Sequence, residues 1–260
     1  MCRTLVAVLL LLLTGCSWVY ARFAYDFVPF PGNGQILCEP GAEDLAKLAA
    51  DHFPLSLDRV RKQQYVPFKD GGKIRVYVFN DKEHYARFSH ASVLTRGSST
   101  TDEVYLSARL RQRIDTLPNI FVHELSHVHI RQYTGTLKYI KDLPGWFLEG
   151  LAVSASDGAG AENVTREQAE AAIRGAVSFE PDDTGRIIGH KTAHSYGLEP
   201  QMYYRQAGLF VEYLRKTDRR AFESALVDIL NGEAFRDAWV RHYGRGVSEL
   251  WLSYKKGIGA

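Results

Sequence analysis

The sequence predicts an α+β fold in which an N-terminal subdomain with a small mixed β-sheet precedes a mainly helical C-terminal subdomain. Two patterns support this prediction. Lys73 to Phe79 alternates with a period of two, which is typical of a half-buried strand, whereas beyond residue 143 the apolar residues recur mainly at helical spacing. With 260 residues, of which 45% are hydrophobic, the chain is long enough to bury one good core shared by two subdomains.

The first 15 residues predict a bacterial lipoprotein signal peptide. Arg3 provides a short basic region, Leu5 to Leu13 is too short for an ordinary membrane span, and Leu13 to Cys16 (LTGC) is similar to a lipobox. Cys16 would then be lipidated and anchor the protein to a membrane in the cell envelope. Ser17 is not an aspartate retention signal, which favours the outer membrane facing the periplasm. An uncleaved anchor or a plain secretory signal is the alternative.

Residues 16–41 predict a tether between the lipid and the folded part, because positions 29 to 41 contain three prolines and three glycines. Cys38 lies in this segment. If Cys16 carries lipid and the signal peptide is removed, Cys38 has no intrachain partner. We therefore expect a non-catalytic thiol, with an intermolecular bridge as the alternative.

Residues 42–142 form the predicted N-terminal subdomain. Pro54 divides two short amphipathic helices, and a polar turn from Arg96 to Asp102 separates a pair of strands. This turn lies either beside a cleft or in solvent as a hairpin loop. The predicted elements are helices Glu43–Phe53 and Leu57–Tyr65, strand Lys73–Phe79, helix Asp81–Phe88, and strands Ser92–Thr95 and Glu103–Ser107.

The segment from His123 to His127 (HELSH) is an HExxH motif. A helix is predicted around it, because Thr116 can serve as N-cap, Pro118 falls in the first turn and Gly135 follows as a stop. Two histidines one turn apart can share one tetrahedral Zn²⁺, with Glu124 beside them as a base. The motif alone arises by chance in about two chains in a hundred of this composition, so a third ligand is needed to support the assignment.

Glu149 is the candidate third ligand, 22 residues after His127. It follows Pro144 and Gly145 in a second apolar helical segment, Trp146 to Ala152 (WFLEGLA). A buried carboxylate is costly unless something neutralises it, and a metal ion does so.

These residues resemble the gluzincins, zinc metallopeptidases in which HExxH is completed by a glutamate on the next helix, often within a W-x-x-E-G-x-A string. The resemblance covers approximately residues 70 to 256 and implies a zincin-like (gluzincin) fold with the active site between the two subdomains. It implies His123, His127 and Glu149 as Zn²⁺ ligands and Glu124 as the general base for a zinc-activated water. By the same resemblance Tyr204, at the start of a later helix, would donate a hydrogen bond to the oxyanion; simple packing is the alternative.

Two departures from the family pattern limit the prediction. Four residues beyond the ligand glutamate, where thermolysin-like enzymes have an acid that holds a histidine, this chain has Val153. Asp157 or a backbone carbonyl would have to substitute. The motif with which aminopeptidases grip a free N-terminus is also missing, which favours an endopeptidase or a special substrate.

Residues 143–260 form the predicted helical subdomain that carries the third ligand. His190 and His194, in the irregular stretch from Phe179 to Gly197, are only a weak indication of a second metal, and this stretch is either a lid or a surface excursion. The predicted helices are Thr165–Arg174, Glu199–Lys216, Arg219–Leu230, Glu233–His242 and Val247–Lys256.

The sequence therefore predicts a membrane-anchored zinc metallopeptidase with a polypeptide substrate. A non-catalytic scaffold or assembly lipoprotein with a gluzincin fold and an amidase acting on cell-wall peptides are the alternatives. No nucleic acid partner is expected, because 32 basic residues balance 30 acidic ones without a Lys or Arg run. Nothing in the sequence predicts an oligomeric state.

Overall fold

The structure is a computed structural model that describes residues 26–185 and 191–260. Within these ranges it contains a five-stranded mixed sheet and nine α-helices, which confirms the α+β prediction. The predicted signal peptide, the predicted lipidation site Cys16 and His190 lie outside the described residues. Among those described, no helix has both the length and the hydrophobicity needed to cross a membrane.

The sheet has the strand order β1-β2-β3-β5-β4. The three inner strands are parallel to one another, and each outer strand is antiparallel to its neighbour. β4 is therefore one edge of the sheet. The strands are β1 Val28–Phe30, β2 Asn33–Cys38, β3 Arg75–Val78, β4 Gly97–Ser99 and β5 Glu103–Leu106.

The tether prediction is wrong for residues 28–38, because they form β1 and β2. Ile36 and Cys38 point into the core and are buried, and Gln35 donates hydrogen bonds to the carbonyls of Gly71 and Ile74. The prolines of the segment do not interfere with this pairing, since Pro29 lies in the edge strand β1. Cys38 is a free thiol whose pKa is raised by burial.

The strand predicted at Ser92–Thr95 is also wrong. That segment forms a turn closed by a hydrogen bond from the Thr95 amide to the Ser92 carbonyl, and the strand that pairs with β5 is Gly97–Ser99. The polar segment 96–102 is therefore partly an edge strand rather than a solvated loop.

The two helices predicted on either side of Pro54 form one helix, α1 Glu43–Gln64. Phe53 stacks on Phe121 with 5.7 Å between ring centroids, and Ala49 and Val60 are buried on the same side. This packing outweighs the local preference of proline to break a helix. A shorter helix, α2 Lys82–Ser89, then connects β3 to the β4–β5 hairpin, as predicted for Asp81–Phe88.

The HExxH helix, α3 Leu117–Asp142, is longer than predicted. Gly135 interrupts it with φ 71° and ψ 160°, a conformation available essentially to glycine, but the helix resumes beyond it. Pro118 lies in the first turn as predicted, and Thr116 occupies the N-cap position without a capping hydrogen bond from its side chain. The bend at Gly135 brings the last turn of α3 back towards the histidines.

The helix that carries Glu149, α4 Gly145–Ala155, packs very closely on α6 Pro200–Thr217. A Cβ atom at Gly150 would lie 2.7 Å from the Ala207 carbonyl oxygen, and one at Gly208 would lie 2.5 Å from Val153. The absence of side chains at both glycines permits this contact, which holds Glu149 and Tyr204 on neighbouring elements.

The C-terminal half is helical, as predicted, and encloses an aromatic core around Trp146, Trp239 and Trp251. A second core lies between the sheet, α1 and the first half of α3. α3 and α4 contribute to both cores and so join the two halves. The remaining helices are α5 Arg166–Arg174, α7 Arg219–Leu230, α8 Phe235–Tyr243 and α9 Val247–Gly257.

His129 lies on a different face of α3 from His123 and His127 and is fully buried. Its Nε2 atom lies 3.1 Å and 3.2 Å from the carbonyl oxygens of Val66 and Pro67, and Nδ1 is buried without a hydrogen-bond partner among residues 26–185 and 191–260. The ring therefore fits as the neutral Nε2–H form. Burial lowers the pKa of His129 to about 4.

We expect His129 to make folding pH-dependent. Between pH 6.5 and pH 4 the unfolded chain binds a proton that the folded chain does not, so stability falls as the pH falls. The free energy of unfolding should drop by about 2 kcal/mol from this residue between pH 7 and pH 5. Urea unfolding of metal-free protein at both pH values, native against His129→Gln, measures this difference. Equal pH dependence in the two proteins would contradict it.

Candidate metal centre

The HExxH helix brings two imidazole rings together. His123 and His127 lie one turn apart on α3, both are buried, and their Nε2 atoms are 3.2 Å apart. This arrangement follows from the helical spacing of the motif, because residues four apart share a helix face.

Glu149 completes the cluster from α4. Its Oε2 atom lies 3.3 Å from Nε2 of His123 and 3.7 Å from Nε2 of His127. The three side chains form the His/Glu group that has suitable geometry for a metal ion, with ligand atoms all within 4.8 Å of one another. The sequence-predicted ligands are thus brought together.

The separations and the unsatisfied atoms fit a metal ion. Two nitrogen ligands at about 2.0–2.1 Å from one tetrahedral Zn²⁺ lie about 3.3 Å apart, close to the spacing of the two Nε2 atoms. Oε2 of Glu149 is buried and, although it lies close to both rings, no described residue gives it a hydrogen bond of good geometry. A divalent cation would satisfy this oxygen and both ring nitrogens at once. Imidazole and carboxylate are also a donor set suited to Zn²⁺.

The electrostatics of the cluster favour a charged carboxylate. Burial raises the pKa of Glu149, but the neighbouring His127 and His123 outweigh this effect and hold it well below its usual range. For His123 burial lowers the pKa, and the nearby Glu149 carboxylate outweighs that effect, so the net shift is upward. Protons therefore compete with a metal for these ligands.

Glu124, the predicted base, lies beside the ligands and contacts the sheet edge. Its Oε2 atom accepts a hydrogen bond of 2.9 Å from the hydroxyl of Ser99 in β4. Glu124 lines a cavity of about 280 Å³ together with Gly97, His123 and Tyr204. The edge strand therefore runs beside the candidate site, which was one of the two predictions for this segment.

Tyr204 joins two cavities at the cluster. It lines the cavity that contains Glu124 and a second cavity of about 230 Å³ that contains Glu149 and His194. The charge of Glu149 and burial raise the pKa of the Tyr204 phenol, so it stays protonated and can donate a hydrogen bond. Its neighbour Tyr203 is buried in the helical core.

The support of His127 differs from both predicted alternatives. Asp157 does not hold a histidine: its side chain is 73% exposed and pairs with Arg59 at 2.6 Å. Instead, a hydrogen bond of 2.8 Å joins Nδ1 of His127 to the hydroxyl of Tyr139. Nδ1 of His123 is buried without a hydrogen-bond partner in the described part of the chain, although the backbone of Ala159 lies beside the ring.

Sequence reasoning missed Tyr139 and Ser99 as parts of this site. Tyr139 lies 12 residues beyond His127, about 18 Å along a straight helix, and only the bend at Gly135 returns it to the ring. Ser99 belonged to the segment considered to lie beside the cleft, but no motif distinguished it from its neighbours. His190, one of the two histidines whose spacing only weakly indicated a second metal, lies outside the described residues.

Comparison with protein-family models and with curated proteins finds no match for this chain.

Proposed function

We propose that the chain is a zinc metallopeptidase of the gluzincin type that hydrolyses peptide bonds. The observation that carries the proposal is the convergence of His123, His127 and Glu149 on one point, where Oε2 of Glu149 lacks a well-formed hydrogen bond from any described residue. Glu124 lies next to this cluster and accepts a hydrogen bond from Ser99 instead. A zincin-like arrangement, with the site between a sheet-bearing and a helical half, is part of the same proposal. The lipid anchor at Cys16 and the envelope location rest on the N-terminal sequence alone.

The two histidines and Glu149 would hold the ion and leave one coordination position for solvent or substrate. When bound there, Zn²⁺ supplies a lowered water pKa, towards about 7, and polarises a carbonyl group. Glu149 contributes the negative charge that offsets the cation in this buried place.

Glu124 acts as the general base and then as the acid. It accepts a proton from the attacking water while the water oxygen bonds to the carbonyl carbon. It then delivers that proton to the amide nitrogen as the C–N bond breaks. Tyr204 donates a hydrogen bond to the carbonyl oxygen, where negative charge develops in the transition state.

The shape of the site favours a polypeptide over a compact small molecule. Tyr204 and Pro200 line both cavities, so neighbouring side chains of a bound peptide would have two adjacent spaces. β4 is an edge of the sheet, so an extended peptide can add to it as a further strand through backbone groups other than the Ser99 carbonyl, which accepts from Arg131.

The test is hydrolysis of a diverse library of internally quenched peptides by zinc-loaded protein. We expect cleavage at internal bonds that stops with a chelator and returns with added Zn²⁺. Release of products from cell-wall peptides alone would support the amidase instead. Stoichiometric zinc binding with no cleavage of either substrate class would contradict an enzyme and favour the scaffold alternative.

A further inference from the structure

Arg131 lies one turn beyond His127 on α3 and reaches the sheet edge. One of its guanidinium nitrogens donates hydrogen bonds to the backbone carbonyl of Ser99 at 2.8 Å and to the Ser99 hydroxyl at 3.2 Å. α3 and β4 are therefore joined by a positively charged side chain with several hydrogen-bond donors.

These contacts fix the direction of the next hydrogen bond. Arginine has no acceptor, so the Ser99 oxygen must accept from Arg131. The single hydroxyl proton of Ser99 is then free to point at Oε2 of Glu124, 2.9 Å away. One oxygen of the Glu124 carboxylate is thus held, and the other remains for a reacting water.

The same guanidinium group also contacts the residue that supports His127. The Cζ atom of Arg131 lies 4.1 Å from the centre of the Tyr139 ring, within the range of a cation–π contact. The Tyr139 hydroxyl in turn lies 2.8 Å from Nδ1 of His127. Both Tyr139 and His127 are buried, so the two rings have little freedom to turn.

We propose that Arg131 is a positioning residue that orients the general base through Ser99 and the ligand His127 through Tyr139. This inference rests on the proposed function and adds residues that no sequence motif identifies. With Nε2 of His127 directed to the cation, Nδ1 carries the ring proton and donates a hydrogen bond to the Tyr139 oxygen. This hydrogen bond fixes the tautomer and the ring plane.

The Tyr139 branch is tested by metal affinity, which needs no substrate. We expect Tyr139→Phe to weaken Zn²⁺ binding about 10- to 100-fold in competition with a chromophoric chelator. The matched control is Tyr133→Phe on the same helix. It removes a hydroxyl that donates a hydrogen bond of 2.8 Å to the Pro67 carbonyl. The absorption spectrum of the Co²⁺-substituted protein should change in Tyr139→Phe and stay native in the control. A purely structural role would lower stability without moving either readout.

The contact through Ser99 is tested by whether its loss changes kcat while KM stays the same. We expect Ser99→Ala to lower kcat about 10-fold with little change in KM or Zn²⁺ affinity, because only the orientation of Glu124 is lost. The control is Ser98→Ala on the same strand. The Ser98 hydroxyl accepts a hydrogen bond of 3.0 Å from Tyr85. Arg131→Met should reproduce both effects, with a weaker Zn²⁺ affinity and a lower kcat.

The outcomes separate this inference from the proposed function. Native Zn²⁺ affinity and a native Co²⁺ spectrum in folded Tyr139→Phe and Arg131→Met would overturn the positioning role while leaving the metal centre intact. An unchanged kcat in Ser99→Ala would overturn the claim that Arg131 orients Glu124 through Ser99. If the native protein bound no zinc, the proposed function itself would fail.

Discussion

Replacing Glu124 with glutamine should lower kcat for peptide hydrolysis by about 10²- to 10⁴-fold. Glutamine has nearly the same shape and can still accept the hydrogen bond from Ser99, but it cannot take a proton from water. The metal ligands are untouched, so the variant should bind Zn²⁺ as the native protein does. Initial rates on the best peptide of the library, together with zinc content, measure both expectations.

The matched control for this change is Glu39→Gln. Glu39 is buried to a similar degree, 5% exposed against 8% for Glu124, but it accepts from the Asn80 amide. Cleavage by folded Glu39→Gln should be close to native. Comparable activity in Glu124→Gln and the native protein would remove Glu124 from the mechanism, whereas loss of zinc from this variant would make it a ligand rather than a base.

The second large effect is expected at Glu149. We expect Glu149→Gln to weaken Zn²⁺ binding by more than about 100-fold. This exceeds the loss expected when a residue that only hydrogen-bonds to a ligand is removed. The carboxylate supplies the only negative charge among the three ligands, and the neutral amide oxygen is a weaker donor. Competition titrations with a chelator of known affinity measure this change.

Glu162 provides a control of similar exposure. Its side chain is 20% exposed, against 24% for Glu149, and pairs with Arg96 at 2.6 Å rather than with histidines. Glu162→Gln should keep native Zn²⁺ affinity. If Glu149→Gln also kept it, the third ligand would have to be sought elsewhere.

The sequence predicted most accurately the elements whose ends are determined by neighbouring residues. The helix Arg219–Leu230 has the predicted ends, and Asp218 caps it by accepting from the Ala221 amide. The three metal-binding candidates were predicted from the HExxH motif, from the single carboxylate in the next apolar helix and from the resemblance to gluzincins, and the structure places them together.

The elements that sequence reasoning missed depend on distant contacts. Pro54 stays inside α1 because Phe53 packs on Phe121, and β2 joins the sheet because Ile36 and Cys38 are needed in a core that forms only with β3. No local pattern contains this information.

The same limit applied within the site. Tyr139 reaches His127 only through the backbone bend at Gly135, and Ser99 reaches Glu124 only through the register of β4 on β5. Motifs identify the groups that perform the chemistry, whereas the groups that hold them are fixed by tertiary structure.

The central claim is that His123, His127 and Glu149 bind one zinc ion. A crystal of the zinc-loaded protein, measured on either side of the zinc absorption edge, tests it most directly by an anomalous difference map. We predict one strong peak at about 2.0–2.2 Å from both Nε2 atoms and from a carboxylate oxygen of Glu149. A map with no peak there, or with its main peak at other side chains, would contradict the metal centre and the function proposed from it.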